Sequence, residues 1–307
     1  MTHLYNLKRQ INNASIWIKL MVFLLVIYVI NSLANRASNS IEGFTEQSKK
    51  FDLKREDLFD DFYVNIYDKL VHSEYKNEYE VGEIVRHTKP TERSRILDVG
   101  SGTGHHVNLF MQKGMNAIGV DKSASMITKS KELYPSATFK KGDVSDSILF
   151  DAESFTHITC FYFTVYYMKD KATFFHNCYR WLKPGGTFVL HLVNRNKFDP
   201  ILPAGNPVNM VSVQKYAKER ITSSVIKFNT FRYKAVFDLK GDVGTFKEII
   251  KFDKDGKMRV NEHTLYMDTQ SNIVTMVKEA GFIMNGKISL HMAQYDYQYL
   301  YIFQKPE

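Results

Sequence analysis

The run Arg95-Ile-Leu-Asp-Val-Gly-Ser-Gly-Thr-Gly-His105 constrains this chain more than any other stretch. A short apolar segment meets the acid Asp98 and passes into glycines at 100, 102 and 104. Glycine has no Cβ, so the backbone there can turn tightly at a strand's carboxyl end and lay bare amides against a ligand. A carboxylate at 98 suits a ligand that carries donors or positive charge. Taken alone, the run also fits a tight strand-to-helix turn with no ligand at all.

Two cofactor classes use a loop of this kind. A dinucleotide site asks for G-x-G-x-x-G, but His105 stands where the third glycine belongs and an additional glycine stands at 104. With Asp98 upstream, the run resembles the first motif of class I methyltransferases that use S-adenosylmethionine. Four further segments follow in that family's order. Ala117-Ile-Gly-Val-Asp121 reads as a second strand ending in an acid, and a carboxylate there can accept hydrogen bonds from both ribose hydroxyls. Lys141-Gly-Asp143-Val144 resembles the segment after strand three, where an aspartate meets the adenine amino group. His157-Ile-Thr-Cys-Phe-Tyr162 resembles strand four, with His157 where the family often has Asp. Arg180-Trp-Leu-Lys-Pro-Gly-Gly186, before Thr187-Phe-Val-Leu-His191, resembles the turn into strand five. As lone acids, Asp121 and Asp143 would read as surface-turn residues; their order gives them meaning.

The resemblance covers residues 60–194 well and 268–305 loosely. It implies S-adenosylmethionine as cofactor, held by Tyr67, Asp98, Gly100, Ser101, Gly102, Asp121, Lys122, Met126, Asp143, Val144 and Phe161. Tyr67 matches the tyrosine of a Tyr-Asp pair that approaches the methionine carboxylate from an N-terminal helical cap; filling the core is its plainer role. The implied activity is in-line transfer of a methyl group to an N or O acceptor.

Elimination narrows the acceptor. Cys160-Phe-Tyr-Phe163 lacks the Pro-Pro-aromatic ending of base-amino DNA enzymes, and no proline precedes Cys160 as in the cytosine-C5 enzymes. The Asp of the ribose 2′-O enzymes and the paired glutamates of the protein arginine enzymes are absent too. A small-molecule acceptor remains, with a cap-type RNA enzyme and a catalytically silent, membrane-tethered binding module as alternatives. The sulfonium methyl is already activated, so alignment and water exclusion carry most of the catalysis. A base matters only for acceptors that arrive protonated. The weak candidates are His105, His191 and Tyr166, with His106, Tyr162 and Tyr167 near them; each also reads as structural.

At 307 residues and 44% apolar content, the chain can hold one sizeable domain with an insertion. The formal charge of +8 favours anionic partners. However, Lys49-Lys50, Lys54-Arg55 and Lys140-Lys141 are interleaved with acids like a solvated surface, so nucleic acid is not the expected partner. Cys160 and Cys178 make neither a disulfide framework nor a metal cluster, and the histidines show no ligand spacing; no metal is implied.

A second feature lies near the N-terminus. Residues 16–34, around Leu20-Met-Val-Phe-Leu-Leu-Val-Ile-Tyr-Val-Ile30, read as a single-pass membrane anchor. As a helix they would rise roughly 28 Å, close to the bilayer core, with Lys19 snorkelling to the headgroups. Lys8, Arg9 and Lys19 favour a cytosolic N-terminus, while Arg36, Lys49 and Lys50 nearly cancel that bias. Ser32-Leu33-Ala34 also suits signal cleavage, giving a secreted protein instead. Residues 1–15 form a tail and 35–57 a polar linker. The resemblance implies a methyltransferase domain over 58–307, in which 195–267 would be the substrate-lid insertion.

The expected fold is α/β, a Rossmann-like doubly wound sheet that is mostly parallel with an antiparallel C-terminal strand. An antiparallel β lid and the N-terminal transmembrane helix complete it. Strands are expected near 95–99, 116–120, 137–141, 157–162 and 187–193, and helices near 105–113, 123–133 and 169–182. Lid strands are expected over 226–237, 245–252 and 258–266. A helix from the Asp268–Asn272 caps through Lys278 and a closing strand pair, 282–290 and 297–303, end the chain.

Overall fold

The computed structural model describes residues 51–205 and 212–307, together with Leu25. Two compact units divide the chain, Met1–Lys49 and Lys50–Glu307, and the second is described below. The expected transmembrane helix over 16–34 lies, Leu25 apart, outside the described residues. No described helix is long and apolar enough to cross a membrane, so that part of the expected fold is without structural support.

Seven strands form the main sheet: β2 (Arg95–Val99), β3 (Asn116–Asp121), β4 (Thr138–Lys141), β5 (Phe155–Cys160), β6 (Leu182–Val193), β11 (Ile283–Ser289) and β12 (Gln298–Gln304). Their order is β11-β12-β6-β5-β2-β3-β4. The strands β6, β5, β2, β3 and β4 pair in parallel, and β12 runs antiparallel between β6 and β11. This is the doubly wound arrangement expected from the alternation of strands and helices.

Among the described residues, six helices accompany the strands: α1 (Asp61–Val71), α2 (Glu74–Thr88), α3 (His105–Gln112), α4 (Ala124–Leu133), α5 (Lys171–Trp181) and α6 (Gln270–Glu279). Alternation along β2 shows how the sheet divides them. Leu97 and Val99 share a core with Phe174, Phe175 and Trp181 of α5 and Ile273 and Val277 of α6. Ile96 joins Val81 and Ile84 of α2 with Val107 and Phe110 of α3. Side chains alternate across a strand, so both faces of β2 are covered, and a strand covered on both faces reads as an unbroken apolar run. The helix starts are chemically marked: Asp60, Ser73, Ser123, Asp170 and Thr269 each accept a backbone N–H from the first turn.

A second sheet of order β1-β10-β9-β8-β7 comprises β1 (Phe51–Lys54), β7 (Ser223–Lys227), β8 (Phe231–Lys240), β9 (Val243–Phe252) and β10 (Met258–Tyr266). Helix α1 lies on it, with Tyr63, Ile66 and Leu70 packed among Leu202, Phe231, Tyr233, Ala235 and Ile250. Three boundaries depart from expectation. Phe51–Lys54, inside the expected linker, pairs in parallel with β10; its side chains stay largely exposed, so backbone pairing holds it and composition carries no trace. The expected strand over 226–237 is two strands, because Phe228 donates its N–H to the Phe231 carbonyl across Asn229-Thr230 and the two phenyl rings stack at 4.6 Å. Strand β6 begins at Leu182, so the Leu-Lys-Pro-Gly-Gly segment is the irregular start of the strand rather than a turn before it.

Candidate functional site

A cavity of about 900 Å³ opens at the carboxyl ends of β2, β3 and β5, with α1 and residues of β8, β9 and β10 contributing walls. That end of the sheet is where open α/β folds take ligands. Tyr67, Asp98, Gly100, Ser101, Gly102, Asp121, Lys122, Met126, Asp143, Val144 and Phe161 all line it.

The glycine loop is shaped by close approach. Gly100 has φ +65°, and a Cβ there would lie 2.3 Å from Thr164 Cγ2. Gly104, at φ +89°, caps α3 where a Cβ would lie 2.6 Å from Phe139 Cζ. The Gly100 and Ser101 amides donate to the Val120 carbonyl at 2.8 and 3.0 Å, tying the loop to β3. Asp121, at the end of β3, accepts the Gly102 N–H and the Ser123 N–H, each at 2.9 Å. Burial raises the Asp121 carboxyl above the usual range despite those donors. The Ser101 hydroxyl is buried without a hydrogen-bond partner among the described residues, so it is free to pair with a polar ligand atom.

Asp98 is 2% exposed. Burial pushes its carboxyl up to about 8, against a 2.8 Å hydrogen bond from Thr159 and with the negative charges of Glu80 and Asp121 adding to the rise. A cationic ligand group beside it would return it to the ionised form. Asp143 is the opposite case: it pairs with the exposed Lys122 ammonium at 2.8 Å, which holds its carboxyl below the usual range.

Phe161 stacks on the His106 ring at 3.9 Å, nearly parallel. His106 Nε2 lies 2.8 Å from Glu80 Oε2, and Lys76 Nζ lies 2.9 Å from the same oxygen. Glu80 is fully buried. Burial alone would raise its carboxyl, but the Lys76 charge and the His106 hydrogen bond pull it down to about 2. His105 lines the cavity, with Nδ1 2.7 Å from the Tyr134 hydroxyl and Nε2 3.2 Å from Asp68.

The other two weak catalytic candidates do not join it. Tyr166 is fully buried, and its hydroxyl accepts the Val193 N–H at 2.8 Å, a structural tie between the turn over Thr164–Tyr167 and β6. His191, near the carboxyl end of β6, is also fully buried and does not line the cavity; burial pushes its imidazole down to about 3, so it stays neutral. Tyr162 and Tyr167 do line the cavity.

Several contributors went unread in the sequence. Asp68, which follows Tyr67, accepts the Thr103 hydroxyl at 2.7 Å and so fastens α1 to the glycine loop. Lys76 and Glu80 stand one helical turn apart, a spacing that marks an ion pair. Glu248 and His263, on neighbouring lid strands, carried no such signal.

A Rossmann-like sheet, a glycine loop at the carboxyl end of its β2 strand and an acid closing β3 are features of the class I S-adenosylmethionine-dependent methyltransferases, and residues 97–190 carry a domain of that family. Residues 97–190 match the family model described as Methyltransferase domain. Among relatives, a dTDP-4-amino-2,3,4,6-tetradeoxy-D-glucose N,N-dimethyltransferase of Saccharopolyspora spinosa is 33% identical over 135 residues, 42% of this chain and 53% of that protein. A ubiquinone biosynthesis O-methyltransferase of Alkalilimnicola ehrlichii is 28% identical over 109 residues, 34% of this chain and 44% of that protein. The chain thus spans about half the length of the relatives it matches. The fold is that of a solved S-adenosylmethionine-dependent methyltransferase from Clostridium acetobutylicum, with a TM-score of 0.59, 17% identity and coverage of 80% of this chain and 98% of that one.

Proposed function

We propose that the protein transfers a methyl group from S-adenosylmethionine to a nitrogen or oxygen of a small molecule. The observation that carries this reading is that the glycine loop, the acids at 98, 121 and 143 and a wall of lid aromatics all face one cavity. The cofactor supplies an activated sulfonium methyl group. In this reading Asp121 holds the ribose hydroxyls while fixing the Gly102 amide, and Asp143 with Val144 meets the adenine. Asp98 balances the ammonium of the methionine portion, and Tyr67 approaches its carboxylate. Phe59, Tyr67, Tyr167 and Phe246 exclude water from the acceptor end, and this alignment is the main catalytic contribution. Relatives named for amino-sugar N-methylation and for quinone O-methylation both support an organic acceptor of modest size.

Calorimetric titration of the full chain with S-adenosylmethionine tests the reading. Wild type is expected to bind, and Asp121→Ala to bind at least about tenfold more weakly, the loss of charge-assisted hydrogen bonds. A wild-type protein that folds and does not bind would refute it. Methyl transfer screened against amines, phenols, lipids and capped RNA then assigns the acceptor; turnover on capped RNA alone would replace the small-molecule reading, and binding without turnover would leave a binding module. Membrane attachment through 16–34 is a proposal resting on the sequence pattern alone, checked by whether alkaline carbonate releases the protein from membranes.

A further inference from the structure

Glu248 on β9 is completely buried in the lid sheet. Its Oε1 accepts the Tyr63 and Tyr233 hydroxyls at 2.7 and 2.6 Å, and its Oε2 accepts the Asn261 amide at 3.0 Å. The fourth partner is His263 on β10, with Nε2 2.8 Å from Oε2. On its other side, His263 Nδ1 lies 2.8 Å from the Tyr167 hydroxyl. Tyr167 is 38% exposed and faces the cavity, so a continuous chain of hydrogen bonds runs from the acceptor end to a carboxylate sealed in the lid.

The chemistry of the partners orients that chain. Four donors converge on Glu248, and their hydrogen bonds hold it ionised against its burial. An ionised carboxylate only accepts, so His263 Nε2 donates to it, and with the ring in its neutral form Nδ1 is left to accept from the Tyr167 O–H. The Tyr167 oxygen keeps its lone pairs for a donor in the cavity. Around it stands an aromatic shell: the Phe59 ring lies 5.6 to 6.1 Å from Tyr63, Tyr67, Tyr167 and His263.

We propose that Tyr167, backed by His263 and Glu248, receives a proton from an amine acceptor, and that the acceptor class is therefore amines rather than phenols or alcohols. The inference rests on the methyltransferase reading and adds to it a chemical class of acceptor. The nitrogen lone pair forms the new bond to the methyl carbon while the sulfur–carbon bond breaks with its electron pair left on sulfur. The nitrogen then gives its proton to the Tyr167 oxygen as the Tyr167 proton passes to His263 Nδ1, and the imidazolium rests against Glu248. Charge sign selects the class. Methylating an amine builds positive charge on nitrogen, which the aromatic faces around the acceptor end stabilise; a phenol would have to give up its proton and become an anion among those same faces. Tyr167 is the catalytic residue, and His263 and Glu248 are positioning residues.

The test needs no acceptor. Sinefungin carries an amine where the cofactor carries its sulfonium methyl, whereas S-adenosylhomocysteine carries nothing there. Calorimetry on the full chain measures both ligands against wild type, Tyr167→Phe, His263→Gln and Glu248→Gln. Wild type is expected to prefer sinefungin by about tenfold at neutral pH, on the scale of a charge-assisted hydrogen bond. In the three variants the preference should shrink at least about threefold, while S-adenosylhomocysteine affinity stays at the wild-type level. Should Glu248→Gln fail to fold, Tyr167→Phe, which removes only one cavity hydroxyl, decides alone. Preference for sinefungin unchanged in Tyr167→Phe, with normal S-adenosylhomocysteine binding, overturns the proposal. Absence of S-adenosylhomocysteine binding by wild type overturns the cofactor reading instead.

Discussion

Asp98 carries an electrostatic conflict that a ligand can relieve. Its carboxyl rises from an ordinary value near 4 to about 8 on burial. A carboxyl raised by folding stabilises the fold below its unfolded value and loses that contribution as pH climbs through the folded one. Asp98→Asn is therefore expected to raise the melting temperature of the ligand-free protein at pH 8 by at least about 2 °C, the shift for roughly 1 kcal/mol, and to weaken S-adenosylmethionine binding. A lower melting temperature at that pH would contradict the account. His191 and His157 run the opposite way, pushed down by burial to about 3 and about 4. Their contribution is present above about pH 6.5 and fades as pH falls toward those values. His191→Leu should accordingly lose less urea resistance than wild type between about pH 7 and pH 5, compared as transition midpoints. At this scale the residue types were legible in the sequence, but their charge states were not. Asp98 and Asp143 are both acids after or within short strands, yet one is sealed beneath the loop and the other pairs with Lys122 in solvent.

At the scale of elements, two glycines in the same backbone region separate strain from collision. Gly100 and Gly114 have φ +65° and +80°, but a Cβ at Gly100 meets Thr164 at 2.3 Å while one at Gly114 meets nothing within 4 Å. Gly114→Ala should cost about 1 kcal/mol, the left-handed penalty alone. Gly100→Ala should cost at least about 2 kcal/mol more, because Thr164 and the turn behind it must move, and should also weaken cofactor binding. Urea denaturation of the pair tests this; equal losses would refute it. The ion pair inside α2 offers a sharper break. Glu80→Gln leaves Lys76, whose side chain is 5% exposed, without its counter-charge, an event that costs roughly 3–5 kcal/mol. The parallel strands were legible because burial on both faces makes each an apolar run. Strand β1 was not, since its exposed side chains carry no pattern and its stability comes from pairing with residues some two hundred positions away. Tyr166 and Tyr167 illustrate a similar limit: in a tight 3-10 turn adjacent side chains diverge widely, and only the packing shows that 166 turns inward and 167 outward.

Across the whole molecule, one cavity is walled by two separate sheets. Cofactor binding is expected to slow amide hydrogen exchange both in the loop 100–104 and in the lid strands β9 and β10 carrying Glu248 and His263, since both line or support the same space. Protection confined to the loop would mean that the lid takes no part in binding. From the sequence by itself follow the doubly wound order, the glycine loop and the acids at 98, 121 and 143, because these depend on local periodicity and on backbone conformations open only to glycine. Tertiary structure alone decided that the lid brings Glu248 and His263 to Tyr167, that His191 and Tyr166 turn away, and that Asp98 is held near neutrality. Proton affinity and contact depend on which distant elements share a residue's surroundings, and strands of an inserted sheet meet through long-range pairing that no local spacing records.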